Sequence, residues 1–348
     1  MEDHQCGTCE IQIPVDSAGG ICPACLISDI LAAPLAKPRE DAPALREGEI
    51  LGGRYRIGTE LGHGGWSVVH LAHRMGNGGG EVAIKVLRPG RDTERHLARF
   101  DSEREILMAA QHAYCAEILD SGITEAGTPF IAMEFIPGIP ITEFCAVQKL
   151  DLPARLKLFQ RVLEGIGHAH GCGIVHRDLK PGNILVVDSE DGPLPKIIDF
   201  GLARMGPRPT ELAELFTKQF QVVGTPVYMS PEQTEGGGTE IDQRSDIYSL
   251  GMVLYEMVTG SLPFSDHRLR VVGPDELLRI IREEPVPRPS SQRVDLTGVV
   301  DDLVMKALAK NAEDRFADAS AFSTAICDFL DQPRSLGRRL VRRIGKGT

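Results

Sequence analysis

The sequence predicts an α+β chain of two lobes, a small and mainly antiparallel β lobe followed by a larger, mainly helical one. Three observations carry that prediction. Short β-like runs separated by Gly-rich turns follow Arg54, apolar residues recur at helical spacing after Pro140, and the turn signal Pro137-Gly138 stands between the two regimes.

The chain opens with two CxxC pairs, Cys6-Gly7-Thr8-Cys9 and Cys22-Pro23-Ala24-Cys25, separated by twelve residues. Each pair places two thiolates on one side of a tight turn, and together they predict a tetrahedral, all-cysteine zinc site in a zinc-ribbon-like module over 1–27. Two redox-active CxxC motifs are the competing reading, but no strand-helix pattern of the thioredoxin type surrounds either pair. A head this small depends on metal ligation to fold. Residues 28–50 are rich in Ala, Pro and Glu, and Pro34, Pro38 and Pro43 exclude a continuous helix or a central strand, so this stretch reads as a linker.

The main domain is expected over 51–332. Its first lobe, about 51–136, takes strands from runs such as Tyr55-Arg56-Ile57, Ser67-Val68-Val69-His70-Leu71 and Glu81-Val82-Ala83-Ile84-Lys85. Its second lobe, about 137–332, takes helices from Leu156, Phe159, Val162, Leu163, Ile166 and His170, and again from Ile247, Leu250, Leu254 and Val258. A tail over 333–348 carries six basic side chains, with Leu336, Leu340 and Ile344 every four residues. A short basic amphipathic helix touching anionic lipid or an acidic partner, and a solvated end, both stay open for it.

Composition narrows the function classes. A net charge of −11 argues against a general nucleic-acid surface, and the acidic head lacks interleaved Arg and aromatic residues. No nucleic acid is therefore expected, and a protein is the expected partner of the zinc module. No apolar stretch approaches the length of a membrane span, and Met1-Glu2-Asp3-His4 has neither the basic start nor the apolar core of an export signal. The expectation is a cytoplasmic chain in which the scattered Cys115, Cys145, Cys172 and Cys327 are buried structural thiols.

Three motifs carry the chemistry: Val82-Ala83-Ile84-Lys85, then His176-Arg177-Asp178-Leu179-Lys180-Pro181-Gly182-Asn183, then Asp199-Phe200-Gly201. Each supplies a different part of what phosphoryl transfer needs. In this order they resemble a bacterial, eukaryotic-like (Hanks-type) Ser/Thr protein kinase, from about Tyr55 to about Leu330. The resemblance implies the two-lobed protein kinase fold, ATP with Mg²⁺ or Mn²⁺, and protein substrates with Ser or Thr acceptors.

It also implies roles. In Leu61-Gly62-His63-Gly64-Gly65-Trp66-Ser67-Val68-Val69 the glycines bring backbone amides close to phosphate oxygens, with Gly62 and Gly64 the family glycines and Ser67 where a third usually stands. His63 is expected to face solvent. Lys85 would hold the α- and β-phosphates, positioned by Glu103 on the following helix, a better match to the family's spacing than Glu105. Val69, Ala83 and Leu185 would line the nucleotide site, and Glu134 and Ile136 belong to the hinge that accepts adenine. Asp178 would take or orient the acceptor's hydroxyl proton, Lys180 would neutralise the moving phosphoryl, and Asn183 and Asp199 would supply oxygen ligands to the divalent cation.

The Asp-Leu-Lys form and Gly224-Thr225-Pro226-Val227-Tyr228-Met229-Ser230-Pro231-Glu232 point to Ser/Thr rather than Tyr acceptors. Glu232 is expected to pair with Arg315, and Asp246 to anchor the catalytic-loop backbone from a buried helix. Arg177, next to Asp178, implies control by activation-loop phosphorylation, with autophosphorylation expected at Thr217. The rival reading is a nucleotide-binding pseudokinase that acts as a scaffold through its zinc head and basic tail, with Ser67 as the departure from the family pattern that would allow it.

Overall fold

The computed structural model describes residues 45–63, 67–76, 79–87, 111–125, 127–200, 226–235, 241–264, 272–296 and 298–331. Strands β1 (Ile50–Leu51), β2 (Tyr55–His63), β3 (Ser67–Arg74), β4 (Glu81–Leu87), β5 (Ile118–Ile123) and β6 (Pro129–Glu134) form one antiparallel sheet in the order β1-β2-β3-β4-β6-β5. A second, three-stranded sheet joins β7 (Ile139–Pro140), β8 (Ile184–Ser189) and β9 (Gly192–Ile197). Among the described residues the α-helices are α1 (Ile141–Val147), α2 (Leu152–Gly171), α3 (Gln243–Thr259), α4 (Pro274–Glu283), α5 (Pro289–Gln292), α6 (Gly298–Ala307) and α7 (Ala319–Asp331).

Strand alternation gives the first sheet two different faces. Ile57, Ala72, Val82, Ile84, Phe130 and Ala132 point to one side and close into a buried cluster. The other side follows from cross-strand pairing, because directly opposed residues share a face. Gly62 opposes Val69, Val69 opposes Lys85, Lys85 opposes Ile131, and Ala83 lies between Leu71 and Met133. The register therefore sets Gly62, Val69, Ala83 and Lys85 on a single surface.

The linker was expected to run through residue 50, yet its last residues belong to the lobe. Leu45 fills the apolar cluster with Ile57 and Phe130, and the Gly48 amide donates to the Ile57 carbonyl at 2.8 Å while the Ile57 amide donates back to Glu49 at 2.9 Å. An apolar side chain near the sheet and a free strand edge suffice to draw the chain in.

In the helical lobe, Asp151 caps α2 by accepting from the Ala154 amide at 2.9 Å, and Leu156, Phe159, Val162, Leu163 and Ile166 form its buried stripe. Helix α3 is apolar nearly all round, from Ile247 to Val258, and lies at the centre of the lobe. Two glycines permit close approaches that matter for the site. A Cβ on Gly138 would come within 2.8 Å of the Val186 carbonyl, so the turn after β6 can lie against β8 only with glycine there. A Cβ on Gly165 would meet Ile197 at 2.9 Å and Tyr114 at 3.1 Å, where segment 114–116 bonds to β9 through Ala116 N–H to Ile197 O and Ile197 N–H to Tyr114 O, both 2.8 Å.

Among the described residues no helix is long and apolar enough to cross a membrane. Cys115 and Cys145 are buried as expected, and burial pushes their thiols up to about 12 and about 11, which makes them inert. Cys172 is only half-buried, and Cys327 is exposed on α7, where its sulfur accepts from Gln160 Nε2 at 2.9 Å. The expectation of burial fails outright for Cys327 on the exposed side of α7 and in part for Cys172, which caps the end of α2 and packs against the core from its edge.

Candidate active site

The loop after α2 carries Asp178, and Asp246 on α3 holds it. The Asp246 carboxylate, fully buried, accepts from the His176 amide at 2.7 Å, the Arg177 amide at 2.8 Å and His170 Nε2 at 2.8 Å. A buried carboxylate is tolerable when its oxygens are satisfied in this way, and the same bonds position the loop. His176 adds a second tie. Its Nε2 lies 2.9 Å from the Ile198 carbonyl, which can only accept, so Nε2 carries the proton and Nδ1 accepts from the Asp178 amide at 3.3 Å.

Two residues here have left-handed backbone conformations, Arg177 and Asp199, each with φ +67°. Side-chain-bearing residues adopt this region at a cost of about 1–3 kcal/mol, and such strain concentrates where geometry serves chemistry. Asp178 and Asp199 are brought together by the Ile198 amide, which donates to the Asn183 carbonyl at 3.0 Å.

The Asp178 carboxylate accepts from Lys180 Nζ at 2.9 Å and from Asn183 Nδ2 at 3.0 Å; the same Nδ2 also donates to the Asp178 carbonyl at 2.7 Å. Commitment of Nδ2 to Asp178 makes Oδ1 the acceptor that Asn183 offers elsewhere. With the Asp199 carboxylate this is an oxygen donor pair, which fits a hard divalent cation such as Mg²⁺ or Mn²⁺. Lys85, 8 % exposed, reaches Asp199 Oδ2 at 2.9 Å and so links the sheet lobe to this cluster.

Of the other expected nucleotide residues, Val69 and Ala83 share the sheet surface that carries Lys85. Ala83, Ile131 and Met133 form a small buried cluster with Val69 and Ile118 against it, and an apolar recess runs from Ala116, Ile118, Ile131 and Met133 to Asp199 and Phe200. Ser67 opens β3 opposite Leu87, and Leu185 pairs with Lys196 on β9. Ile136 is buried beside the Pro137-Gly138 turn, and among the described residues no hydrogen bond engages its amide. The Glu134 carboxylate accepts from Lys196 Nζ at 2.9 Å, a partner that nothing in the local sequence announces. His63 is not solvent-facing, since its Nδ1 lies 2.6 Å from Glu60 Oε1 and the ring is mostly covered. A carboxylate three residues back on the same strand captures it.

Glu232 and Arg315 form a two-bond pair at 2.7 and 2.8 Å, and the Ser245 hydroxyl donates to Glu232 at 2.5 Å. Burial alone would raise the Glu232 carboxyl, but the hydrogen bonds from Arg315 and Ser245 and the guanidinium charge outweigh it and hold the group below the usual glutamate range. The expected residues Glu103, Gly64, Thr217, Cys6, Cys9, Cys22 and Cys25 lie outside the described residues. Among the described residues no cluster of His, Cys, Asp and Glu is fit to hold a metal by itself.

Residues 55–326 match the protein kinase domain family. The serine/threonine-protein kinase Pkn1 of Myxococcus xanthus is 33% identical over 329 residues, covering 92% of this chain and 45% of that protein. The serine/threonine-protein kinase PknB of Mycolicibacterium smegmatis is 36% identical over 281 residues, covering 78% of this chain and 42% of that protein. The chain thus spans less than half the length of these two curated relatives. Among solved structures, the PknI kinase domain of Mycobacterium tuberculosis superposes with a TM-score of 0.61 at 26% identity, covering 82% of this chain and 98% of that one. With its two lobes and its catalytic-loop geometry, the chain belongs to the protein kinase family.

Proposed function

We propose that the protein is a Ser/Thr protein kinase that transfers the γ-phosphoryl group of MgATP to Ser or Thr hydroxyls of protein substrates. The observation that carries the reading is the linked set of Lys85, Asp199, Asn183, Asp178 and Lys180, joined by contacts of 2.9 to 3.0 Å and by the Ile198 to Asn183 backbone bond. Asp178 takes the acceptor's proton as the hydroxyl oxygen attacks γ-phosphorus and the bond to the bridging oxygen breaks, a contribution of about 10²–10⁴-fold. Lys180 offsets charge on the moving phosphoryl. Lys85 grips the α- and β-phosphates, and Glu103 fixes it when nucleotide is held. Asn183 and Asp199 hold the divalent ion, which when bound neutralises the phosphate oxygens. Gly62, Gly64 and Ser67 cover the phosphates, while Val69, Ala83 and Leu185 enclose the base and the Glu134 to Ile136 backbone meets its edge. The scaffold reading has less support, because Asp178 contacts Lys180 and Asn183, Lys85 contacts Asp199, and a backbone bond from Ile198 to Asn183 ties the two sets together.

The same proposal includes autophosphorylation at Thr217, a zinc-binding head at Cys6, Cys9, Cys22 and Cys25 that docks a protein, a role for the basic tail at a lipid or acidic surface, and a cytoplasmic location where ATP is supplied. Phosphate incorporation from labelled ATP, by wild type and by Asp178→Asn, tests the core of it. Wild type is expected to incorporate phosphate, with Thr217 among the mapped sites and zinc in the purified chain. Asp178→Asn is expected to bind ATP yet lose about 10²–10⁴ in rate. Nucleotide binding by folded wild type without any transfer would sink the kinase reading in favour of the scaffold.

A further inference from the structure

Gln233 is 9 % exposed and its carboxamide joins two segments of the helical lobe. Nε2 donates to the Arg177 carbonyl at 2.7 Å, and Oε1 accepts from the Ser230 amide at 3.0 Å and the Ser230 hydroxyl at 3.2 Å. The peptide that Nε2 grips is the one that leads into Asp178. Arg177 is left-handed, with φ +67°, a conformation that its surroundings must hold. Asp246 Oδ1 holds the preceding peptide through the Arg177 amide at 2.8 Å, and the next amide, that of Asp178, reaches His176 Nδ1 at a longer 3.3 Å. Rotation of the Arg177–Asp178 peptide swings the Asp178 carboxylate, and Gln233 is the described long-range contact to that carbonyl.

The other end of Gln233 is firmly based. Ser230 follows the short turn Pro226–Tyr228, where the Ser249 hydroxyl on α3 donates to the Tyr228 carbonyl at 2.7 Å and the Tyr228 hydroxyl donates to Glu256 at 2.6 Å. Two clamps on adjacent peptides, one from α3 and one from segment 226–234, thus define the bend ahead of Asp178.

We propose that Gln233 is a positioning residue for phosphoryl transfer: it locks the left-handed bend at Arg177 and ties the aim of Asp178 to the seating of segment 226–234, so that acceptor groove and base are set together. The proposal rests on the kinase reading. Gln233→Glu keeps the size and the Oε1 acceptor but sets an ionised oxygen against the Arg177 carbonyl. At about pH 8, where glutamate is charged, kcat for a Ser/Thr peptide should fall about tenfold or more, with KM for ATP within about twofold of wild type. Burial beside a carbonyl raises the introduced carboxyl above the ordinary glutamate value of about 4.3, so as pH falls toward about 6 the ratio to wild type should rise, because the protonated form donates again. A purely structural role would lower the melting midpoint without this acid recovery.

Wild-type kcat in Gln233→Glu at both pH values, or a loss that acid does not reduce, overturns the proposal. If that variant does not fold, Gln233→Met is read instead: a lowered kcat with KM for ATP kept supports the proposal, while wild-type kcat overturns it. Failure of both variants to fold also overturns it, since the role is then structural. Absence of transfer by wild type itself sinks the kinase reading along with the proposal, whereas active wild type with unaffected variants sinks the proposal alone.

Discussion

The catalytic-loop stretch of the helical lobe and the cleft-facing surface of the sheet lobe hold their functional groups in different ways. Around Asp178 the backbone itself is pinned, with Asp246 taking two loop amides and His176 bridging to Ile198. On the sheet, Lys85 is placed by strand register, and among the described residues its ammonium meets the other lobe through an ion pair with Asp199. The contrast teaches where rigidity is needed. Under the proposed activity, a base that must aim at one proton sits on a multiply bonded loop, whereas a cation that must follow phosphates sits at the end of a long side chain on a strand.

The comparison can be broken most severely at Asp246. Asp246→Ala would leave three buried donors without their acceptor, and the expected loss is about 5 kcal/mol or more of stability, with transfer lost as well. Denaturant unfolding together with peptide phosphorylation checks it, and wild-type stability would show that the loop is held by something else.

Next in size is the pair remote from the chemistry. Glu232→Gln leaves the guanidinium of Arg315 buried without its counter-charge, for an expected loss of about 3–5 kcal/mol. Because the folded-state Glu232 carboxyl lies below its unfolded value, its stabilisation is complete above the ordinary glutamate range and disappears as pH falls through the lowered value. Acid unfolding curves of wild type and Glu232→Gln should therefore converge on acidification. Curves that stay parallel would show that the pair does not titrate with folding.

The smallest effect on structure is expected at Lys85. Lys85→Met should lower phosphate transfer by about 10²-fold, or about 2.7 kcal/mol of transition-state stabilisation, while the melting midpoint stays close to wild type. A stability loss matching that at Asp246 would erase the distinction between pinned loop and register-held strand.

Much of this arrangement was legible because it lies in contiguous motifs. The Asp178, Lys180 and Asn183 run spans one loop and a short turn, so its members meet wherever that loop folds as a unit. The Glu232 to Arg315 pair and the Asp246 anchor were also expected, and the structure places both partners in contact. Contacts without a motif were not legible. Lys196 reaches Glu134 across 62 residues, and Gln233 reaches Arg177 across 56, and neither side chain differs from an ordinary polar residue in its local run. His63 departs from its expected solvent-facing place for a simpler reason: Glu60, three residues back on the same strand, holds its ring.

By itself the sequence determined the two regimes of periodicity, the order of the chemical motifs and the residue types that phosphoryl transfer requires, because these are local properties of composition and spacing. Only the tertiary structure decided which groups hold the backbone around Asp178, how Lys85 reaches Asp199, and that residues 45–50 pack and bond onto the sheet lobe. Those outcomes depend on close packing and hydrogen-bond satisfaction between segments far apart in the chain, and no local pattern encodes which distant partner will be within 3 Å.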